Sequence, residues 1–179
     1  MPSNRPTPIL FLDLDGTVRK GPKELGRFVN GPEDVELFDG MVELIKSYKA
    51  RGWRIVAISN QGGIALGHVT ANSVNRAMEG TNRLCARLFD RMYWCTHHPD
   101  AVADEYASKE EKSICLCRKP MIGYVVVAMA SMAEQYDEFY RPYTSLFVGD
   151  MEDDKQCAAN ANIPFKWSDT WREKGPLTD

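Results

Sequence analysis

Apolar residues in this chain fall in short runs separated by polar, glycine-rich breaks. Ile9 to Leu14 is one such run, halted at Asp15-Gly16-Thr17, and it predicts a buried strand that ends in a sharp turn. The stretch on to Pro32 holds Gly21-Pro22, Gly26 and Gly31-Pro32 and reads as a loop or small flap. Met41, Leu44, Ile45 and Tyr48 share one helical face, predicting a helix from a cap at Asp39 to about Arg51, closed by Gly52. Trp53 to Ile58 predicts a second buried strand, closed by Ser59-Asn60-Gln61-Gly62-Gly63. A helix capped by Thr70 should run to Phe89, and Met92 to Cys95 should form a third strand.

From His97 to Ser113 the chain is polar and lacks periodicity, which predicts a long loop; such loops usually carry a function or a staple. Beyond it the pattern gives a helix from Met121 to about Gln135, a strand from Ser145 to Val148 and a helix from Asp153 to Asn160. Ile163-Pro-Phe165 reads as a last short strand before a loose tail. Strand and helix alternate throughout, so the expected fold is α/β: a Rossmann-like parallel sheet with helices on both faces. Neither segment between the motifs, Thr17 to Asp39 or Ser59 to Lys119, is large enough for a separate cap domain.

The length, 179 residues, suits one domain spanning 1–179 with a well-buried core. With 44% apolar and 26% charged residues, composition excludes a disordered or fibrous chain. A net charge of −3 gives no whole-chain attraction to nucleic acid or anionic membrane. Met1 to Pro8 holds no apolar stretch of the kind a secretory signal needs. The longest apolar run, Tyr124 to Ala130, is far below the roughly 20 residues that span a bilayer. A cytoplasmic, monomeric protein with no membrane partner is the expectation.

The candidate chemistry lies at predicted strand ends, where parallel sheets bind ligands. Asp13 and Asp15 leave the first strand with one residue between them, which puts both on the same side. Two carboxylates so close repel unless a cation sits between them. Magnesium fits such a site, because it takes oxygen ligands and completes its shell with water and phosphate. Asp150 follows another strand and adds a carboxylate; Asp153 and Asp154 open the next helix. Ser59 and Asn60 offer a hydroxyl, an amide and backbone N–H groups to phosphate oxygens, and Lys119 adds a fixed positive charge.

Asp13-Leu-Asp-Gly-Thr17, Ser59-Asn60, Lys119 and Gly149-Asp150 through Asp154 together resemble the four ordered motifs of the haloacid dehalogenase (HAD) superfamily. The match spans nearly the whole chain. The resemblance implies that Asp13 is the nucleophile and Asp15 the general acid/base, with Ser59 and Lys119 holding the phosphoryl group. It implies Mg²⁺ held by Asp13, the Asp15 carbonyl and Asp150, with Asp154 behind them. The chemistry is coherent on its own terms: cationic neighbours let a carboxylate attack phosphorus, and one acid/base serves both half-reactions.

Cysteine usage points to a second metal. Five cysteines are an odd number, and Cys95, Cys115 and Cys117 gather near His97 and His98; in a reducing compartment this suggests a metal rather than disulfides. Cys95-x-His97 and Cys115-x-Cys117 bracket the polar segment, and three thiolates with one imidazole suit a closed, structural Zn²⁺ site. His98 is the alternative imidazole. Cys85 and Cys157 read as core residues.

Cys95-x-His-His-Pro99 followed by Cys115-x-Cys-Arg-Lys-Pro120 resembles the zinc loop of two phosphatase families, acting on heptose 1,7-bisphosphate and on histidinol phosphate. Their pattern favours His97 as the ligand. Asn60-Gln-Gly-Gly-Ile-Ala-Leu-Gly67 is closer to the heptose group, which implies a small phosphorylated sugar as substrate. Leu14 and Leu66 stand where those families usually carry Arg. Asp-Leu-Asp-Gly-Thr with Ser-Asn-Gln is also similar to polynucleotide 3′-phosphatases, which lack this zinc loop. A zinc-stabilised interaction module on an inactive phosphatase scaffold is the non-enzymatic alternative, but no member of the catalytic set is missing.

Overall fold

The computed structural model describes residues 6–101 and 115–176. Five parallel strands run β1 (Ile9–Leu12), β2 (Arg54–Asn60), β3 (Arg91–Cys95), β4 (Leu146–Gly149) and β5 (Phe165–Trp167), in the spatial order β3-β2-β1-β4-β5. The chain builds outward from β1 in one direction through β2 and β3, then returns to the other side of β1 for β4 and β5. That reversal opens a crevice at the carboxyl ends of β1 and β4, the usual ligand position in open α/β sheets.

Successive strand residues face opposite sides, and the core divides accordingly. Leu10, Leu12, Ile55, Ala57, Leu146 and Val148 join one apolar cluster, whereas Ile9, Phe11, Val56, Ile58 and Phe147 join another. Helices α2 (Met41–Ala50) and α3 (Ala71–Leu84) supply Leu44, Ile45, Val74 and Met78 to the first. Helices α4 (Gly123–Tyr136) and α5 (Glu152–Asn160) supply Val125, Met132 and Cys157 to the second. Burial on both faces explains why the central strands are continuously apolar. The flap holds the short helix α1 (Pro22–Leu25) and a 3₁₀ turn, Pro32–Asp34, packed on α3. Among the described residues there is no separate cap domain, as expected.

Several boundaries differ from the sequence pattern. Gly40, left-handed at φ 70°, occupies the position before α2 with no side-chain cap, so Asp39 lies one residue too early. Strand β2 continues through Ser59 and Asn60 because both pair with β3. Helix α3 stops at Leu84 rather than Phe89: Ala86 and Arg87 turn left-handed, and the chain doubles back to bury Phe89. The last strand is Phe165–Trp167, and the expected loose tail is instead a helix, α6 (Ser168–Glu173), anchored by the buried Trp171. Most of the expected loop from His97 to Ser113, namely 102–113, lies outside the described residues. No helix among the described residues is long and apolar enough to cross a membrane.

Candidate active site

Sheet pairing gathers the strand-end residues. The Asp13 N–H donates to the Val148 carbonyl at 3.0 Å, so the residue after β1 remains tied to β4. Strand β2 lies on the other side of β1 and delivers Ser59 and Asn60, while Lys119 arrives from the segment before α4. These residues, with Asp15, Asp150 and Asp154, line one pocket of about 340 Å³ roofed by Gly21 to Glu24 of the flap.

Lys119 is the hub. Only 2% exposed, its ammonium donates to the Ile58 carbonyl at 2.8 Å and pairs with Asp13 Oδ1 at 2.5 Å and Asp154 Oδ1 at 2.6 Å. Burial works to lower its pKa, but Asp13 and Asp154 outweigh that and hold it raised, so it stays cationic. Burial raises Asp13 well above the usual carboxylate range despite Lys119, and Asp154 pushes the same way. Asp150 is pushed up to about 6, first by burial and then by Asp154.

The donor set fits a hard divalent cation. Carboxylate oxygens of Asp13, Asp150 and Asp154 come within 4.8 Å of one another, and Asp150 Oδ1 is buried with no hydrogen-bond partner. An unpartnered buried carboxylate oxygen is costly, and oxygen-seeking Mg²⁺ would relieve it. Gly16 is left-handed (φ +87°), and a Cβ there would lie 2.3 Å from Asp150 Oδ2. Glycine alone lets Asp150 close against the turn that carries Asp15. Both oxygens of Asp154 already have partners, Oδ1 in Lys119 and Oδ2 in the Asp150 and Met151 N–H groups at 3.2 and 3.0 Å. Asp154 is thus placed to orient the cluster from behind.

Two residues that sequence reasoning missed control Asp15. Arg19, fully buried, donates to its Oδ1 at 2.7 Å and Oδ2 at 3.3 Å, and to Thr81 Oγ1 at 2.8 Å. The Gln61 amide bridges Asp15 Oδ2 at 2.6 Å and Ser59 Oγ at 2.8 Å. Arg19 lies in a turn where no periodicity marks burial, and Thr81 is 62 positions away. For Gln61 the only signal was its adjacency to Ser59-Asn60. Asn60, expected to bind phosphate, instead exchanges two 3.0 Å hydrogen bonds with the Lys119 backbone: its amide donates to the carbonyl and its oxygen accepts from the N–H. Its side chain thus fixes the Lys119 backbone at the pocket wall. Leu14 is buried in the core.

The cysteine–histidine group forms beside a neighbouring pocket, lined by His97 and Cys115, that shares Arg118, Lys119 and Asp153 with the first. Cys95 Sγ lies 3.4 Å from Cys115 Sγ and 3.4 Å from His97 Nδ1, and Cys115 Sγ lies 3.2 Å from that nitrogen. These three soft donors within 4.8 Å suit zinc. Burial, foremost, pushes the Cys95 thiol up to about 12, so a metal would be needed to hold it as thiolate at neutral pH. Cys117 stands outside the triad, beside the Tyr124 hydroxyl, which donates to the Trp94 carbonyl at 3.0 Å. His98 is also apart, and Gly62 leaves it room: a Cβ there would sit 2.7 Å from its ring. Arg118 donates to the His97 carbonyl at 2.9 Å and thereby links this group to Lys119.

Comparison with known proteins identifies the family and the fold. The family model described as polynucleotide kinase 3 phosphatase matches residues 8–171. The D-glycero-D-manno-heptose-1,7-bisphosphate 7-phosphatase of Chlorobaculum tepidum is 36% identical over 158 residues, covering 87% of this chain and 75% of its own. That of Salmonella typhi is 30% identical over 166 residues, covering 89% and 78%. Among solved structures, D,D-heptose 1,7-bisphosphate phosphatase from B. bronchiseptica, complexed with magnesium and phosphate, superposes with a TM-score of 0.69. It shares 24% identity and covers 97% of this chain and 89% of that one; a HAD-like phosphatase from Mesorhizobium loti gives 0.70 at 25% identity, covering 88% and 69%.

Proposed function

Since the chain belongs to the polynucleotide kinase 3 phosphatase family and is a HAD-type phosphatase, we propose that Asp13 is its nucleophile and a small sugar phosphate its substrate. The substrate best supported is D-glycero-D-manno-heptose 1,7-bisphosphate, cleaved at the 7-phosphate, after the relatives at 36% and 30% identity. The observation that carries the mechanism is the buried Asp13–Lys119–Asp154 chain beside the unpartnered Asp150 oxygen.

An Asp13 carboxylate oxygen attacks phosphorus, and the bond to the sugar oxygen breaks. Asp15, protonated once its side chain parts from Arg19 and Gln61 and turns toward Asp13, delivers its proton to that leaving oxygen. Lys119 and Ser59 bind the phosphoryl oxygens, and Asn60 holds the Lys119 backbone in place. Asp15 then takes a proton from water, whose oxygen attacks the aspartyl-phosphate; inorganic phosphate leaves and Asp13 is restored. Asp13, the Asp15 carbonyl and Asp150 would hold Mg²⁺, with Asp154 behind them; bound there, it would neutralise charge between carboxylate and phosphate.

We read residues 1–179 as one phosphatase domain that carries a zinc loop at about 95–117. Cys95, His97 and Cys115 are the proposed Zn²⁺ ligands, with Cys117 as the fourth once its side chain leaves Tyr124. The protein is proposed to act as a monomer in the cytoplasm. A phosphate-release screen with Mg²⁺ tests the substrate: the heptose bisphosphate should exceed histidinol phosphate and a 3′-phosphorylated oligonucleotide in kcat/KM. A preference for the oligonucleotide would overturn the sugar reading while leaving the phosphatase chemistry intact.

A further inference from the structure

The turn bearing Asp15 is tied on two sides. Inside, the N–H groups of Thr17, Val18 and Arg19 all reach the Leu14 carbonyl, at 3.2, 2.9 and 2.9 Å. Outside, the Gly16 and Thr17 carbonyls point to the last helix. Arg172 Nη1 donates to Gly16 O at 3.0 Å and Thr17 O at 2.8 Å, and the buried Ser168 hydroxyl donates to Gly16 O at 3.2 Å. The Arg172 guanidinium stacks 3.9 Å over the Phe38 ring and pairs with Asp169, so it is braced from both sides.

We infer that helix α6 is a clamp on the catalytic turn and that Arg172 is a positioning residue for the Asp15 main chain and Asp150. Charge-assisted donation to two consecutive carbonyls fixes the peptides on either side of Thr17. Gly16 is then held in the left-handed conformation on which the approach of Asp150 depends. The preceding carbonyl, that of Asp15, keeps its direction as a result. A cavity of about 210 Å³ at this seam, lined by Gly16, Asp150, Ser168 and Arg172 among others, leaves the turn room to move once the clamp is cut. The consequence for magnesium rests on the proposed roles of Asp15 and Asp150; the clamp itself does not.

Three variants separate positioning from support. Trp171 anchors the same helix from its buried face, donating to the Tyr48 hydroxyl at 3.0 Å rather than to either carbonyl. Trp171→Phe should lower Tm but leave kcat and Mg²⁺ affinity unchanged. Arg172→Met should lower kcat about tenfold or more with KM nearly constant, since small misplacements of catalytic groups are costly. Calorimetric Mg²⁺ affinity of the substrate-free protein should fall with it, and Arg172→Lys should recover part of both. Amide exchange over 13–19 in metal-free protein should rise in Arg172→Met and not in Trp171→Phe. Equal exchange in these two variants, or losses in kcat that merely follow Tm in both, would overturn the clamp. Wild type that binds no Mg²⁺ would overturn the functional reading instead, with amide exchange still deciding the clamp.

Discussion

The carboxylate centre and the cysteine–histidine group are the two proposed metal sites, yet the protein organises them in opposite ways. Asp13, Lys119 and Asp154 are 6%, 2% and 1% exposed. They converge at the carboxyl end of the central strands, Asp13 from the end of β1, Lys119 from the segment before α4 and Asp154 from α5, and are bonded to one another and to main-chain groups. Cys95 instead closes the edge strand β3, His97 is exposed, and Cys115 borders the segment outside the described residues. Its sulfur and nitrogen atoms chiefly meet each other. The first centre is arranged by the fold, so losing its ion should cost chemistry and spare structure. The second has no such scaffold, so its ion should contribute folding free energy directly.

The largest effect should come from Asp13→Asn. Removal of a nucleophile should lower kcat about 10⁴-fold or more, roughly 5 kcal/mol of barrier. Because the amide keeps the shape and removes an acid from a crowded site, Tm should barely change. EDTA should likewise stop turnover reversibly with little loss of structure at this centre. Residual Asp13→Asn activity within about tenfold of wild type, too small a loss for a nucleophile, would break the assignment.

Cys115→Ser asks the opposite question. Wild type should carry about one zinc per chain, as a closed four-ligand site does, and the variant none. The cost should be a few kcal/mol of stability, read as a lower Tm, with kcat reduced only indirectly. His98→Ala should keep its zinc. Elemental analysis with thermal melts decides both, and a Cys115→Ser protein that keeps zinc and Tm would erase the contrast between the centres.

The contrast also separates what the sequence announced from what it hid. Strand ends were legible because a parallel sheet buried on both faces requires apolar runs, and those runs stop at Asp13, Ser59 and Asp150. The α6 helix was hidden because Trp171 is a single large anchor without a repeat to form a period. Arg19 and Gln61 were hidden for a different reason: their roles depend on pairings between distant segments, which no local pattern encodes. Asn60 was noticed, but its hold on Lys119 was not, since nothing in its spacing shows that the Lys119 backbone passes within 3.0 Å. The turn at Ala86-Arg87 lacks the glycine that normally marks a left-handed helix end.

Asn60→Ala sharpens the claim that the fold arranges the carboxylate centre. Losing both bonds to the Lys119 backbone should lower kcat about tenfold to hundredfold, the scale of a misplaced catalytic group. Zinc content should not change. Phosphate should bind more weakly in the variant, because the ammonium that meets it is no longer fixed. An unchanged kcat would show that Lys119 is held adequately by Ile58, Asp13 and Asp154 alone.

The smallest effect lies outside both centres, at the Arg54–Glu138 pair, and calibrates them. Arg54 begins β2, at the far end from Ser59, and its guanidinium reaches Glu138 through Nε at 2.9 Å and Nη2 at 2.6 Å while stacking 3.7 Å over Tyr136. The hydrogen bonds from Arg54 hold the Glu138 carboxyl below its ordinary value of 4.5 against the opposing effect of burial, and the Tyr140 hydroxyl assists. A depressed acid binds fewer protons folded than unfolded, so stability rises with pH wherever the unfolded chain is still titrating. The pair's contribution is therefore complete above pH 4.5 and disappears as pH falls through the folded value. The Glu138 side chain is 26% exposed, and partly solvated pairs of this kind contribute about 1 kcal/mol or less. Glu138→Gln should lower Tm slightly at pH 7, flatten the loss of stability below pH 4.5, and leave kcat, Mg²⁺ affinity and zinc content alone. Should the variant alter turnover, the sheet would be transmitting strain along β2 to Ser59 and Asn60, and the active site would depend on more of the fold than its own bonds indicate.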